Sequence, residues 1–251
     1  MLNHMKVWLP KLYQYKEQVN THDLLKVLAV IAMTIDHLGA YRWDDDIWLR
    51  IIGRLAAPLF FFAFGTTKSR SFNDNILIGG VLITATYFWM ESRFVINILV
   101  NFAFIKYILN RITPSLLTTT SLIILNLMSI FLLPITVIFI EYGTVGLLFA
   151  VSGHLIARGD KRGQYFMLST LCIYFLEEGV LLNIDSNRAY AVGLLSVCLL
   201  LAWIYTVYVL KFWPIPTTLI KPCLFFSRYS LYIYMFQVLL GDLGVWRACA
   251  F

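Results

Sequence analysis

Apolar residues gather along the chain in runs of roughly twenty, separated by short polar breaks, and a helical run of that length crosses the roughly 30 Å hydrocarbon core of a bilayer. The pattern predicts helices near 24–40, 47–65, 75–91, 94–110, 116–133, 136–156, 165–182, 190–210 and 223–243. The expected fold is all-α, a polytopic transmembrane bundle of about nine spans. The fourth run is short and carries Asn97, Asn101 and Lys106, and the fifth parts from the sixth only near Pro134. Pro58, inside the second run, predicts a kink that frees backbone carbonyls. Ahead of the first run, residues 5–15 mix Val7, Trp8, Leu9 and Leu12 with Lys6 and Lys11, the pattern of a helix lying at the membrane surface. Residues 1–22 read as a cytoplasmic N-terminal segment and 23–251 as one membrane domain. The first run ends without a small-residue cleavage pattern, so it is expected to stay in the protein.

Composition supports the same class: the chain is 60% hydrophobic and 14% charged, with a mean hydropathy of +0.76, which excludes a soluble core. A net charge of +6 would suit nucleic acid, yet no basic stripe with interleaved aromatics stands apart from the apolar runs, so no such partner is expected. The charge has another origin. Fourteen of the twenty Lys and Arg residues fall on one side of the alternating spans and six on the other, which places the N-terminus inside. The opposite loops collect acid, as Asp44-Asp45-Asp46 and Glu177-Glu178 with Asp185. Cys172, Cys198, Cys223 and Cys249 are each more than twenty residues from the next, so neither a metal site nor a disulfide framework is expected.

Ionisable groups inside a span cost about 2.5 to 3.5 kcal/mol each on insertion scales, and residues 24–65 hold Lys26, Asp36, His37, Arg50 and Arg54. Such a concentration implies a site. Eleven helical steps of about 100° bring Lys26 under His37, on a face shared with Val30, Met33 and Thr34, while Asp36 points about 100° away. Asp36 therefore needs a partner from another helix, and Arg54, one turn from Arg50, is the expected one. The alternative is a buried pair that only fixes packing. His37 suits a general base or an acyl acceptor, because a neutral imidazole titrates near neutrality and needs no counter-ion. Asn97 and Asn101, one turn apart, suit a ligand carbonyl and a neighbouring helix equally. The glycines of Glu141-Tyr142-Gly143-Thr144-Val145-Gly146 permit close packing, and Glu177 and Glu178 read as loop charge. Ser152 and His154 lie about 200° apart around a helix, which excludes a nucleophile–base pair between them.

Leu25-Lys26, Ala29, Met33, Asp36-His37 and Gly39, followed by Gly53-Arg54, Ala56 and Pro58-Leu59-Phe60, then Asn97-Ile98-Leu99, then Tyr142-Gly143 and Gly146, resemble the pattern of the TraX family. Those are integral membrane proteins named for the conjugative-plasmid enzyme that N-acetylates pilin. The resemblance is dense over roughly forty residues of the first two helices and scattered beyond them. It implies a multi-pass acyltransferase of the bacterial inner membrane that takes acetyl from acetyl-CoA, without a metal, and delivers it to the N-terminal amine of a pilin; another amine or hydroxyl acceptor would need the same base and donor site. Under that resemblance His37, Asp36 and Arg54 are the catalytic candidates. His37 deprotonates the attacking amine or briefly accepts the acetyl group, Arg54 and Asn97 hold the thioester oxygen, and Asp36 orients them. Arg50, Asn97, Asn101, Tyr142 and Gln237 would contact substrate. Lys26, Lys68, Arg70, Arg158 and Arg162 would meet the coenzyme's phosphates.

One departure stands out: the family tends to end in a Tyr-rich helix with a His-Leu pair, whereas residues 229–237 keep the tyrosines and have Gln237 instead. A glutamine can hydrogen-bond there but cannot act as a base. Two rivals follow from the same residues. Lys26, Asp36, His37 and Glu141 could line the ion path of a small-solute or proton-coupled transporter, although no inverted repeat is visible, and the missing histidine would suit a non-catalytic scaffold.

Overall fold

The computed structural model describes residues 19–43, 46–67, 74–91, 94–111, 117–181, 188–210 and 217–242. Among them every regular element is a helix, apart from one isolated parallel bridge between Ile96 and Ile140. The interfacial helix expected over residues 5–15 lies outside the described residues, as do Lys68 and Arg70.

Helix α1 (Thr21–Tyr41) starts where Asn20 and Asp23 exchange side-chain and backbone hydrogen bonds, a reciprocal cap that satisfies two otherwise orphaned donors. Asp46 then caps α2 (Ile47–Gly53), accepting from the Trp48 and Leu49 amides. The second apolar run is not one helix. It breaks at Arg54 and Leu55 before α3 (Ala56–Thr66), one turn ahead of Pro58. Pro58 has no N–H for the carbonyl four residues back, and the Tyr174 hydroxyl takes up that Arg54 carbonyl instead, at 2.6 Å.

Helices α4 (Asp74–Glu91), α5 (Ile98–Arg111), α6 (Thr119–Phe139), α7 (Gly143–Ala157), α8 (Arg162–Leu181), α9 (Arg188–Leu210) and α10 (Ile220–Asp242) complete the bundle, with a short 3₁₀ turn at Thr217–Leu219. Most boundaries fall within three residues of those predicted. Two predictions are corrected. The fourth run begins as extended chain at residues 94–97, so α5 has only 14 residues, about 21 Å at 1.5 Å per residue. The break after the fifth run comes not at Pro134, which lies inside α6, but at Ile140–Tyr142.

Among the described residues, five stretches are long and apolar enough to cross a membrane: Thr21–Tyr41, Ile47–Thr66, Thr119–Thr136, Tyr190–Tyr208 and Ile220–Gly241. The count of nine spans is not confirmed by these five, and α5 and α7, at 14 and 15 residues, are too short to cross alone. The outside of the bundle is apolar, with Trp89 88% and Phe131 75% exposed, while Asn97, Glu178 and Ser152 are fully buried. Apolar outside and polar inside is the arrangement a bilayer selects, and this is a membrane protein. At its centre α3 lies directly on α7: a Cβ on Gly65 would collide with the Ala150 carbonyl, and one on Gly153 with the Phe62 carbonyl. Two facing glycines let the two backbones touch where lipid offers no hydrophobic drive.

Candidate functional site

A cavity of about 760 Å³ lies between α1, α3, α5 and α10 and is lined at one end by Lys26 and at the other by Asp36 and His37. Those residues are ten positions apart on α1, so the cavity follows the bundle axis for about 15 Å. Lys26, Met33 and His37 of the predicted face line it, but so does Asp36, whereas Val30 and Thr34 do not.

The His37 end is built on a relay. Gln237 Nε2 on α10 donates to Thr34 Oγ1 at 2.8 Å, and Thr34 in turn donates to the Val30 carbonyl at 2.9 Å. That direction leaves Gln237 Oε1 as an acceptor facing His37 Nδ1 at 3.0 Å. Nδ1 must therefore carry the proton, and in the neutral ring Nε2 keeps the lone pair. The tyrosines Tyr41 and Tyr234 flank the ring, with centroids at 5.8 and 6.0 Å.

The charged partners are not the predicted ones. Asp36 pairs with Arg50, at 2.8 Å between Oδ2 and Nη1, rather than with Arg54. Gly53 explains the fit, since a Cβ there would collide with Asp36, and its absence lets α2 close against α1. Arg54 instead holds Glu178, at 2.9 Å between Nε and Oε2, with side-chain exposures of 12% and 0%. Glu177 and Glu178 are thus not loop charge: both lie in α8, both are buried, and both line the cavity. A glutamate pair still inside the end of an apolar run was the available signal, and proximity to the loop masked it.

Arg54 also donates through Nη1 to the Tyr142 hydroxyl at 3.2 Å. Tyr142 has a φ of 57°, the only non-glycine residue in the left-handed region among the described residues. Such backbone strain, roughly 1 to 3 kcal/mol, persists where surroundings impose it. Here the turn is pinned by α5: Ile96 accepts from the Glu141 amide at 3.0 Å, and Asn101 Nδ2 donates to the Glu141 and Gly143 carbonyls at 3.0 and 3.1 Å. Glu141 caps α5 in return, accepting from the Ile98 amide at 2.8 Å. Asn97 Nδ2 donates to Tyr234 at 2.7 Å and to Glu141 at 3.2 Å. Of the two readings open for Asn101, helix attachment is the one the contacts express, and neither asparagine is among the residues lining the cavity. Broken helices are tolerated at membrane depth when side chains satisfy the freed backbone, as they do here.

The opposite end gathers cations. Lys26, Lys106 and Arg228 line the same cavity there, with Asp23 the one carboxylate nearby, and Ser227 donates to Asp23 at 2.6 Å. Lys106 stands 5.5 Å from the Phe64 ring centroid, in cation–π range. Phe64, Thr67 and Lys106 also line a second cavity of about 240 Å³ that holds His154 and Arg158. Arg162 lines neither cavity. It is bound to Asp160 at 2.6 Å, and its hydrogen bonds hold the Asp160 carboxyl below the usual carboxylate range. Ser152 donates to the Leu148 carbonyl at 2.9 Å and is an ordinary buried helix hydroxyl. No group of three or more residues suited to a metal is found among the described residues.

Comparison with known proteins gives a limited set of relatives. An uncharacterized protein of Rickettsia prowazekii (strain Madrid E) is 39% identical over 103 residues, 39% of this chain and 42% of that protein. A probable fimbrial assembly protein FimC, serogroup H1, of Dichelobacter nodosus is 39% identical over 75 residues, 26% of this chain and 31% of its own length. The chain thus covers less than half the length of either relative. No solved structure matches it. A family model described as TraX protein matches residues 21–221, which include α1 to α9 and every charged pair of the cavity, and the chain belongs to the TraX family.

Proposed function

We propose that the protein is a membrane N-acetyltransferase of the bacterial inner membrane, with its N-terminus inside, that carries acetyl from acetyl-CoA to the terminal amine of a pilin or a similar extracytoplasmic acceptor. The observation that carries this reading is one cavity that joins a cationic end to a histidine whose Nε2 keeps its lone pair. Its volume of about 760 Å³ lies in the range of pockets that enclose whole small-molecule ligands, roughly 300 to 1,000 Å³. The similarity to a protein named for fimbrial assembly supports a pilus-related acceptor.

In this scheme Lys26, Lys106 and Arg228, with Arg158 beyond them, hold the donor's phosphates by charge-assisted hydrogen bonds. The acyl arm lies along the cavity toward His37. The acceptor nitrogen attacks the thioester carbon, the carbon–sulfur bond breaks, and the coenzyme leaves as its thiol. His37 Nε2 takes the proton from nitrogen and returns it to sulfur. An α-amine has a pKa of about 7.7 to 8, so only mild basic help is required. Tyr142 offers its hydroxyl to a developing oxyanion, polarised by Arg54, which donates to it and pairs with Glu178. Asp36 and Arg50 fix the wall beside the base.

The test is transfer of radiolabelled acetyl from acetyl-CoA in membranes carrying the protein, with a pilin offered as acceptor. Wild type labels the acceptor, and His37→Ala lowers the rate about 100-fold or more, the usual range for loss of a general base. Equal labelling in the variant would overturn the assignment of His37, and no labelling by folded wild type would overturn the activity.

A further inference from the structure

Glu177 has no part in the scheme above. Asp36 Oδ1 and both Glu178 oxygens also lack a hydrogen-bond donor, but their carboxyl groups stand within 3 Å of a guanidinium, whereas Glu177 has no ion pair among the described residues. Asp36 is paired with Arg50, Glu178 with Arg54, and Glu141 receives the Ile98 amide and Asn97. Glu177 is 1% exposed, lines the cavity, and its Oε2 meets no hydrogen-bond donor among the described residues. A carboxylate oxygen taken out of water without a donor costs several kcal/mol. The His37 end as a whole sets four carboxylates against two guanidiniums, a formal charge of −2. Both facts point to a cationic group that completes the end when it arrives.

Resting on the acyltransferase reading, we propose that Glu177 is the anchor for the acceptor's ammonium group. The site receives the amine in its protonated form, with Glu177 Oε2 accepting one N–H. His37 Nε2, in the same cavity, removes the proton that must leave before attack and passes it to water, so that it is free to take the second proton, lost as the carbon–nitrogen bond forms, and return it to sulfur. The amine is thereby desolvated and oriented by a group distinct from the base. Glu178 cannot do this, since Arg54 already neutralises it, and Asp36 cannot because of Arg50.

Binding separates this proposal from the activity itself. The probes are an apolar decapeptide with a free α-amine, the same peptide N-acetylated, and its neutral α-hydroxy analogue, titrated onto the purified full chain in detergent. The expected result is that wild type binds the amine peptide at least tenfold more tightly than either neutral form. Glu177→Gln abolishes that preference and raises the acceptor KM, and Glu177→Asp keeps part of it. A preference undiminished in Glu177→Gln would overturn the proposal. Should the glutamine variant fail to fold, equal affinity of wild type for the amine and hydroxy peptides would overturn it as directly. Preferential amine binding without any acetyl transfer would sustain the anchor and sink the acyltransferase reading, whereas transfer with an unchanged acceptor KM in Glu177→Gln would do the reverse.

Discussion

The two ends of the cavity carry opposite formal charge and hold it in different ways. Lys26, Lys106 and Arg228 stand against Asp23 at one end, whereas Asp36, Glu141, Glu177 and Glu178 stand against Arg50 and Arg54 at the other. At the acidic end two of the four carboxylates are locked to guanidiniums, each at under 3 Å. At the basic end the cations sit near helix ends on long, adaptable stems. A paired end resists change and shapes a reacting centre; a cationic end of flexible side chains recruits an anion. The same cavity can therefore bind a phosphate-bearing donor at one mouth and present an acyl group to a cation at the other.

The comparison breaks first, if it breaks, at Arg54. Arg54→Gln leaves Glu178 buried without its counter-charge and is expected to cost about 3 to 5 kcal/mol, read as a lower unfolding temperature of the detergent-purified protein. The double variant Arg54→Leu with Glu178→Leu should recover most of that loss, because matched apolar groups need no partner. A single variant as stable as wild type would show that the pair is not what holds the acidic end.

Substitutions at the basic end should act on the donor rather than on the fold. Lys106→Ala, which removes a cation shared by both cavities, is expected to raise the KM for acetyl-CoA about tenfold, roughly 1.4 kcal/mol, and to weaken its salt dependence while the unfolding temperature stays close to wild type. A donor KM unmoved by the change would remove the basic end from the coenzyme's path.

The smallest expected effect sharpens the acidic end. Gln237→Leu removes the hydrogen bonds to His37 and Thr34, about 0.5 to 1.5 kcal/mol each, and frees the His37 ring to take either tautomer. Transfer should fall several-fold, far less than in His37→Ala, and the pH profile of the rate should shift because Nδ1 has lost its acceptor. A rate equal to that of His37→Ala would mean that Gln237 touches the substrate itself.

Much of this was legible in the chain, and the limits follow from physics. The common face of Lys26 and His37 could be read from helical periodicity, because both lie on one uninterrupted helix. The partner of Asp36 could not: Arg50 and Arg54 share a helix face, and the choice between them turned on the break at Arg54–Leu55, where a tyrosine from α8 captures the carbonyl that Pro58 leaves free. Glu178 was passed over because its counter-ion lies well over a hundred residues away. Gln237 looked like the loss of a histidine, and the fold makes it the residue that sets the His37 tautomer.

What the sequence determined by itself is whatever depends on local periodicity and on the cost of charge in lipid: helices, membrane residence, the TraX pattern and the concentration of ionisable groups in the first hairpin. The tertiary structure alone decided the pairings, the cavity that joins the two charged ends, the interrupted helices around Asn97 and Tyr142, and the unanswered oxygen of Glu177. Those depend on which residues meet across helices, and in a bilayer that choice is made by close packing and by satisfying every buried polar group at once.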